Sequence, residues 1–236
     1  MRVGLFVPCF VDAFRPGAAR ATVALLERFG VEVDFPAAQT CCGQPQFNAG
    51  LVDEARELAG RFCRVFEPYD AIVAPSGSCV AMVRNHYAAL VGPSPVAART
   101  FELCEFLVER LGVVDVGARL PGRAALHVGC HQRRELRAAG PVERLLDAVG
   151  GLERVPLASD EWCCGFGGTF SVKFPEISAE MGRRKLEPIR AAGVDWLVST
   201  DVSCLLHLEG LLAREGADRP RTLHVAEVLA ARETTT

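Results

Sequence analysis

CCGQPQFNAG at residues 41–50 and CCGFGGTFSV at residues 163–172 open with the same Cys-Cys-Gly triplet, 122 residues apart. Working outward, GLFVPC (4–9) is matched by ALHVGC (125–130), and RTFELCEFL (99–107) by RTLHVAEVL (221–229). Cys9 and Cys130 lie 121 residues apart, Cys41 and Cys163 lie 122 apart, and Cys79 and Cys204 lie 125 apart. A near-constant offset that runs through cysteines and their flanks alike marks two copies of one unit. Eight of the ten cysteines fall on the repeat. Cys63 and Cys104 fall opposite Lys185 and Ala226, so they read as small buried side chains of the core.

Each copy reads as alternating strands and helices. The short apolar runs 2–7 and 124–128 predict buried strands that lead directly into a cysteine. Residues 18–29 predict a helix stopped by Gly30, VEVDF (31–35) a strand, and 51–66 a second amphipathic helix. The runs 71–74 and 196–199 predict strands ending at PSGSC and TDVSC, with helices opening after Cys79 and Cys204. The expected fold is α/β: two pseudo-symmetric repeats of a Rossmann-like parallel-sheet unit, residues 1–115 and 116–236, joined across 113–123. In such sheets ligands gather beyond the carboxyl ends of the strands, where Cys9, Cys79, Cys130 and Cys204 are expected.

Composition narrows the function. Half of the 236 residues are apolar, 23% are charged and the net charge is −3, which suits a folded core and gives no basic patch for nucleic acid. The opening MRVGLFVPCFVD has no signal-peptide pattern, and no apolar run is long enough to span a bilayer. A soluble, cytoplasmic protein is expected, with no nucleic-acid or membrane partner. In a reducing compartment, thiols in number point to metal binding or catalysis rather than disulfides.

Adjacent cysteines diverge, which suits a multi-iron cluster better than a single ion. The C-x-x-C knuckles of zinc ribbons and the ferredoxin run are both absent. Cys9, Cys41, Cys42 and Cys79 form one candidate quartet, and Cys130, Cys163, Cys164 and Cys204 the other. Gly43 and Gly165 are expected to let backbone N–H groups approach the sulfurs. Ser76 and Asp201, three residues before the last cysteine of each copy, read as turn formers or as weak oxygen ligands. His131 reads as a surface histidine or a sulfur-side donor, and His127, His86, His207 and His224 as ordinary histidines. Lys173 and Thr169 follow the second pair, the lysine as a solvated residue or as a cation near the cluster. Pro175 reads as a first helical residue. GFGG (165–168) lacks the third small residue and the strand-to-helix setting of a dinucleotide loop. No residue presents itself as a proton or hydride acceptor.

The duplicated Cys…CysCysGly…Cys unit resembles the cysteine-rich CCG domain found in heterodisulfide reductase and in glycolate-oxidase iron–sulfur subunits. VDFPAAQTCCGQPQFNAG (33–50), CCGFGGTFSVKFPEIS (163–178), DVSCLLHLEG (201–210) and HVAEVL (224–229) are similar to the lactate-utilization protein A family. The resemblance covers nearly the whole chain. It implies the iron–sulfur electron-transfer subunit of a cytoplasmic complex that oxidises L-lactate to pyruvate, beside lactate-utilization proteins B and C. The fullest form of the domain ends in C-x-x-C, and here Ser76 and Asp201 stand at its first position. That leaves a four-cysteine [4Fe–4S] site in each copy, or one with an oxygen ligand, and one or two clusters in all. Glycolate-oxidase-type subunits carry a ferredoxin module ahead of these units, so any conventional cluster wire is expected in a partner. Two other readings stay open: a thiol–disulfide redox subunit of the heterodisulfide-reductase kind, and a structural zinc module.

Overall fold

The computed structural model describes residues 1–159 and 161–232. The apolar runs form two four-stranded sheets, and every pairing in both is parallel. The first holds β1 (Arg2–Leu5), β2 (Glu32–Asp34), β3 (Ala71–Ala74) and β4 (Thr100–Glu102) in the order β2-β1-β3-β4. The second holds β5 (Arg119–His127), β6 (Gly150–Val155), β7 (Trp196–Ser199) and β8 (Arg221–His224) in the order β6-β5-β7-β8. The same order in both sheets is the structural form of the sequence repeat. The central strands are buried on both faces, as parallel sheets require: Val3, Ile72, Val73, Leu197 and Val198 have no exposed surface.

The helices cover the sheets through faces set by their sequence. Val52–Phe66 buries Ala55, Ala59, Phe62 and Phe66, one stripe at helical spacing. Pro16–Arg28 ends where Gly30 takes φ +72°; Gly30 N donates to Glu27 O and Val31 N to Leu26 O, the paired closure of a helix stop. Pro175 opens Pro175–Ala191, as its fixed φ favours.

Three expectations shift. The helices do not open after Cys79 and Cys204. They start at Gly77 and Val202, so each cysteine sits in a first helical turn. The cause at Gly77 is Ser76, whose side chain accepts the Cys79 N–H and so closes that turn. The joint is shorter than 113–123, because β5 begins at Arg119 and pairs with Gly150. The strand run 2–7 is regular only to Leu5, although Phe6 N still donates to Val73 O.

The two sheets share a core. One continuous buried cluster takes Val3, Leu25, Leu26, Leu103, Phe106 and Leu107 from the first repeat and Leu126, Val142, Leu145, Val225, Val228 and Leu229 from the second. The contacts exchange symmetrically. Val225–Ala230 packs on Pro16–Arg28, and Ala139–Asp147 packs on the segment 103–110, its counterpart pair. Likewise Cys9–Phe14 packs on Val202–Arg214, and His131–Glu135 on Gly77–Ala81. The helix that follows the first cysteine of one copy thus meets the helix that carries the last cysteine of the other. This places both cysteine sets at one seam. Among the described residues, no helix is long and apolar enough to cross a membrane.

Candidate functional site

The first quartet assembles at the carboxyl end of the first sheet. Cys9 follows β1 through Pro8 and begins the helix Cys9–Phe14. Gln39 pins the loop that brings Cys41 back to that strand: Val7 N donates to its Oε1 at 2.7 Å, and its Nε2 donates to Leu5 O at 3.0 Å. Cys41 Sγ then lies 3.8 Å from Cys9 Sγ and accepts the Gly43 N–H at 3.4 Å. Cys42 is buried and hydrogen-bonds with both Cys41 and Cys79, which closes the set. Hydrogen bonds from the Cys42 and Cys9 thiols hold the Cys41 pKa down to about 3. The same bonds, aided by burial, push Cys9 and Cys42 upward.

The second quartet repeats this wiring. Cys130 hydrogen-bonds with Cys163, Cys163 with Cys164, and Cys164 Sγ lies 3.1 Å from Cys204 Sγ. Gly165 N donates to Cys163 Sγ at 3.4 Å and Phe166 N to Cys164 Sγ at 3.5 Å. The Cys130 and Cys164 thiols hold the Cys163 pKa down to about 2, while Cys130 and Cys164 rise. Cys204, with Cys164 as its chief donor and His127 nearby adding to the effect, falls to about 7. Gly165 is required here: its φ is +92°, and a Cβ would sit 2.4 Å from Ser178 O. The backbone N–H contacts expected of Gly43 and Gly165 are therefore present in both copies.

All eight sulfurs line a single cleft of about 870 Å³, part of it open to solvent, together with Phe10, Gln44, Phe166, Gly167 and Gly168. GFGG is part of this wall rather than a dinucleotide loop. Between the quartets lie Ser76 and Asp201. Asp201 is 1% exposed, and its Oδ1 accepts Ser76 Oγ at 3.0 Å, Ser78 N at 3.0 Å and Ser78 Oγ at 2.7 Å. Its Oδ2 is buried without a hydrogen-bond partner, against Gly129, where a Cβ would come within 2.2 Å.

The remaining candidates separate by environment. Cys104 is fully buried and its thiol is pushed up by burial, while Cys63 is half-buried with its sulfur 3.4 Å from Ser94 Oγ. Neither joins a quartet. Lys173 is exposed on Thr169–Lys173. His131 Nδ1 lies 3.6 Å from Cys130 Sγ, with its other nitrogen 3.6 Å from Glu135. His86 faces the same glutamate at 3.1 Å. Burial lowers the His207 and His224 pKa values, and each ring is held by a backbone carbonyl, of Ser178 and Thr200. His127 is the residue that sequence reasoning underrates. It is 1% exposed, neither ring nitrogen has a nitrogen or oxygen partner, and it offers a nitrogen within 4.8 Å of the Cys164 and Cys204 sulfurs. The signal is in the repeat: His127 stands where the first copy has Phe6 in an otherwise apolar strand.

Four thiols per copy, linked one to the next, form a soft donor set suited to zinc or iron–sulfur groups and unsuited to magnesium or calcium. The nitrogens of His127, with no nitrogen or oxygen partner, and the unpartnered Oδ2 of Asp201 fit the same interpretation, because buried polar atoms otherwise find partners.

The cysteine-rich CCG domain model matches twice, at residues 3–84 and 124–209. Lactate utilization protein A of Geobacillus kaustophilus (strain HTA426) is 48% identical over 240 residues, covering 98% of this chain and all of the relative. Lactate utilization protein A of Bacillus subtilis (strain 168) is 42% identical, again over 98% of this chain and all of the relative. A crystal structure of a hypothetical protein from Helicobacter pylori superposes with a TM-score of 0.63 at 10% identity. That match covers 99% of this chain, which spans about half of the Helicobacter protein, and it speaks for the fold alone. Two matches to one domain model and near-complete alignment with these relatives give one conclusion: the chain is a two-copy cysteine-rich CCG-domain protein and belongs to the lactate utilization protein A family.

Proposed function

We propose that this chain is the iron–sulfur electron-transfer subunit of a cytoplasmic complex that oxidises L-lactate to pyruvate. Its partners are proteins of the kind named lactate utilization proteins B and C. The relatives' name supports the lactate-utilization role. The observation that carries the electron-transfer reading is the gathering of eight sulfurs, as two quartets of identical wiring, around one cleft.

In this reading Cys9, Cys41, Cys42 and Cys79 hold one cluster, and Cys130, Cys163, Cys164 and Cys204 the other. A bound [4Fe–4S] group supplies one-electron chemistry. The chain supplies the rest. Hydrogen bonds from neighbouring thiols lower the pKa values of Cys41 and Cys163, which favours the thiolate that metal requires. The N–H groups of Gly43, Gly165 and Phe166 point at sulfur, where they offset negative charge and raise the potential. Buried Cys42, Cys164 and Cys204 keep water from part of each set.

Anaerobic purification with iron and acid-labile sulfide analysis tests the reading. It expects both elements in comparable amounts and an electron paramagnetic resonance signal on reduction. A folded, reconstituted protein that carries neither would end it.

A further inference from the structure

The two sites are not chemically equal. At the end of β1, Phe6 is fully buried and packs edge-on against Phe62 and Phe66, with ring centroids 5.0 Å and 5.8 Å apart. The first quartet therefore has a hydrocarbon wall at this position. At the end of β5 the second copy places His127, equally buried. Neither enclosed ring nitrogen has a nitrogen or oxygen partner, and the group it faces is the sulfur of Cys204. The other fully buried histidine shows what a structural imidazole does in this fold: His224 accepts the Ala226 N–H at 3.1 Å and lies 3.1 Å from Thr200 O, with both nitrogens used. His127 has no such role. A buried imidazole with no such partner is unfavourable unless something absent from the protein's own groups completes it.

Its neighbours identify that something. One His127 nitrogen and the sulfurs of Cys164 and Cys204 lie within 4.8 Å of one another, with the two sulfurs 3.1 Å apart. Metal–sulfur bonds near 2.3 Å and metal–nitrogen bonds near 2.0–2.1 Å, in tetrahedral directions, set donors roughly 3.5–3.8 Å apart, a spread this group reaches with a small parting of the two sulfurs. Neutral imidazole is the commonest nitrogen ligand to zinc and iron.

We propose that His127 is a metal ligand of the second site, contributing a nitrogen donor beside the sulfurs of Cys164 and Cys204, whereas the first site offers cysteine alone. The inference rests on the reading that the quartets hold metal, and it deepens it: nitrogen enters one centre only, so the two centres are electronically distinct.

The test uses the full-length chain with ¹⁵N-labelled histidine, reconstituted anaerobically with iron and sulfide and examined by pulsed electron paramagnetic resonance. The expected result is a directly bound imidazole nitrogen coupled to one centre, and its loss in His127→Phe. A loaded second centre with no nitrogen coupling overturns the assignment and leaves the electron-transfer reading standing. In parallel, Co²⁺ is titrated into reduced, metal-free Cys41→Ser/Cys42→Ser protein, which restricts tight binding to the second site. His127→Phe is expected to weaken Co²⁺ by about tenfold or more and to change its visible spectrum. Unchanged affinity and spectrum overturn the assignment. Co²⁺ binding through His127 in a chain that takes up no iron or sulfide keeps His127 as ligand and ends the electron-transfer reading; a second site that takes neither metal ends both. Should His127→Phe fail to fold, the nitrogen coupling of the unsubstituted chain decides alone.

Discussion

Ser76 Oγ donates to Asp201 Oδ1 across 3.0 Å, so two residues at equivalent places in the two copies bond directly to each other. The contact lies on the approximate two-fold relation between the repeats, where neither copy can supply both partners. The serine–aspartate difference makes it work: a hydroxyl donates and a carboxylate accepts, whereas two aspartates would repel.

Removing that acceptor loosens the seam. Asp201→Ala leaves Ser76 Oγ, Ser78 N and Ser78 Oγ without the oxygen they share. Urea unfolding at neutral pH is expected to show a loss of roughly 2–4 kcal/mol. Asp201→Asn keeps one acceptor oxygen and is expected to lose much less.

Gly165→Ala is expected to cost roughly 3 kcal/mol or more, since it combines a left-handed backbone with a clash against Ser178 O. Gly30→Ala shares the positive φ but meets nothing within 4 Å, and is expected to cost about 1–2 kcal/mol. Thermal melts of the two metal-free variants side by side check the difference.

The contribution of Glu102 to stability is expected to fall as pH rises between about 4.5 and 8, while the lowered thiols of Cys41 and Cys163 act in the opposite sense. Burial pushes the Glu102 pKa up to about 8. The folded chain therefore keeps a proton that the unfolded chain releases from its ordinary value of 4.5 upward. At this residue the unfolded state binds fewer protons across that window, so its own contribution declines there and levels off above it. Glu102 Oε2 accepts the Cys104 N–H, the Glu105 N–H and Gln132 Nε2, whereas Oε1 has no partner. Glu102→Gln can keep those three bonds and lose the ionisation. The urea midpoint of Glu102→Gln relative to the unsubstituted chain, measured from pH 5 to 9, is expected to rise with pH and to level off above about 8.

Iron content separates the quartets. Cys42→Ser and Cys164→Ser are each expected to lower reconstituted iron by about half. Cys63→Ser, outside both sets, is expected to leave it unchanged. Equal iron in Cys42→Ser and the unsubstituted chain would remove Cys42 from its assigned place.

Much of this molecule is visible in its sequence because duplication doubles every signal. Each strand leading to a cysteine appears twice, and so do the glycines after the paired cysteines, whose conformations admit few alternatives. The relations across the two-fold are harder to read. Nothing local to Ser76 indicates that its partner lies 125 residues away. The helix at Gly77 begins before its cysteine rather than after it because a capping hydroxyl at Ser76 outweighs the apparent strand exit. His127 looks ordinary in the sequence because an imidazole at a strand end is common, and only burial with no nitrogen or oxygen partner distinguishes it.

The cleft has a further consequence. Because both sulfur sets open onto the same hollow from opposite halves of the chain, a single inserted loop or small molecule meets the two at once. Among the described residues the two sulfur sets thus share one doorway, and whatever fills it shields both together.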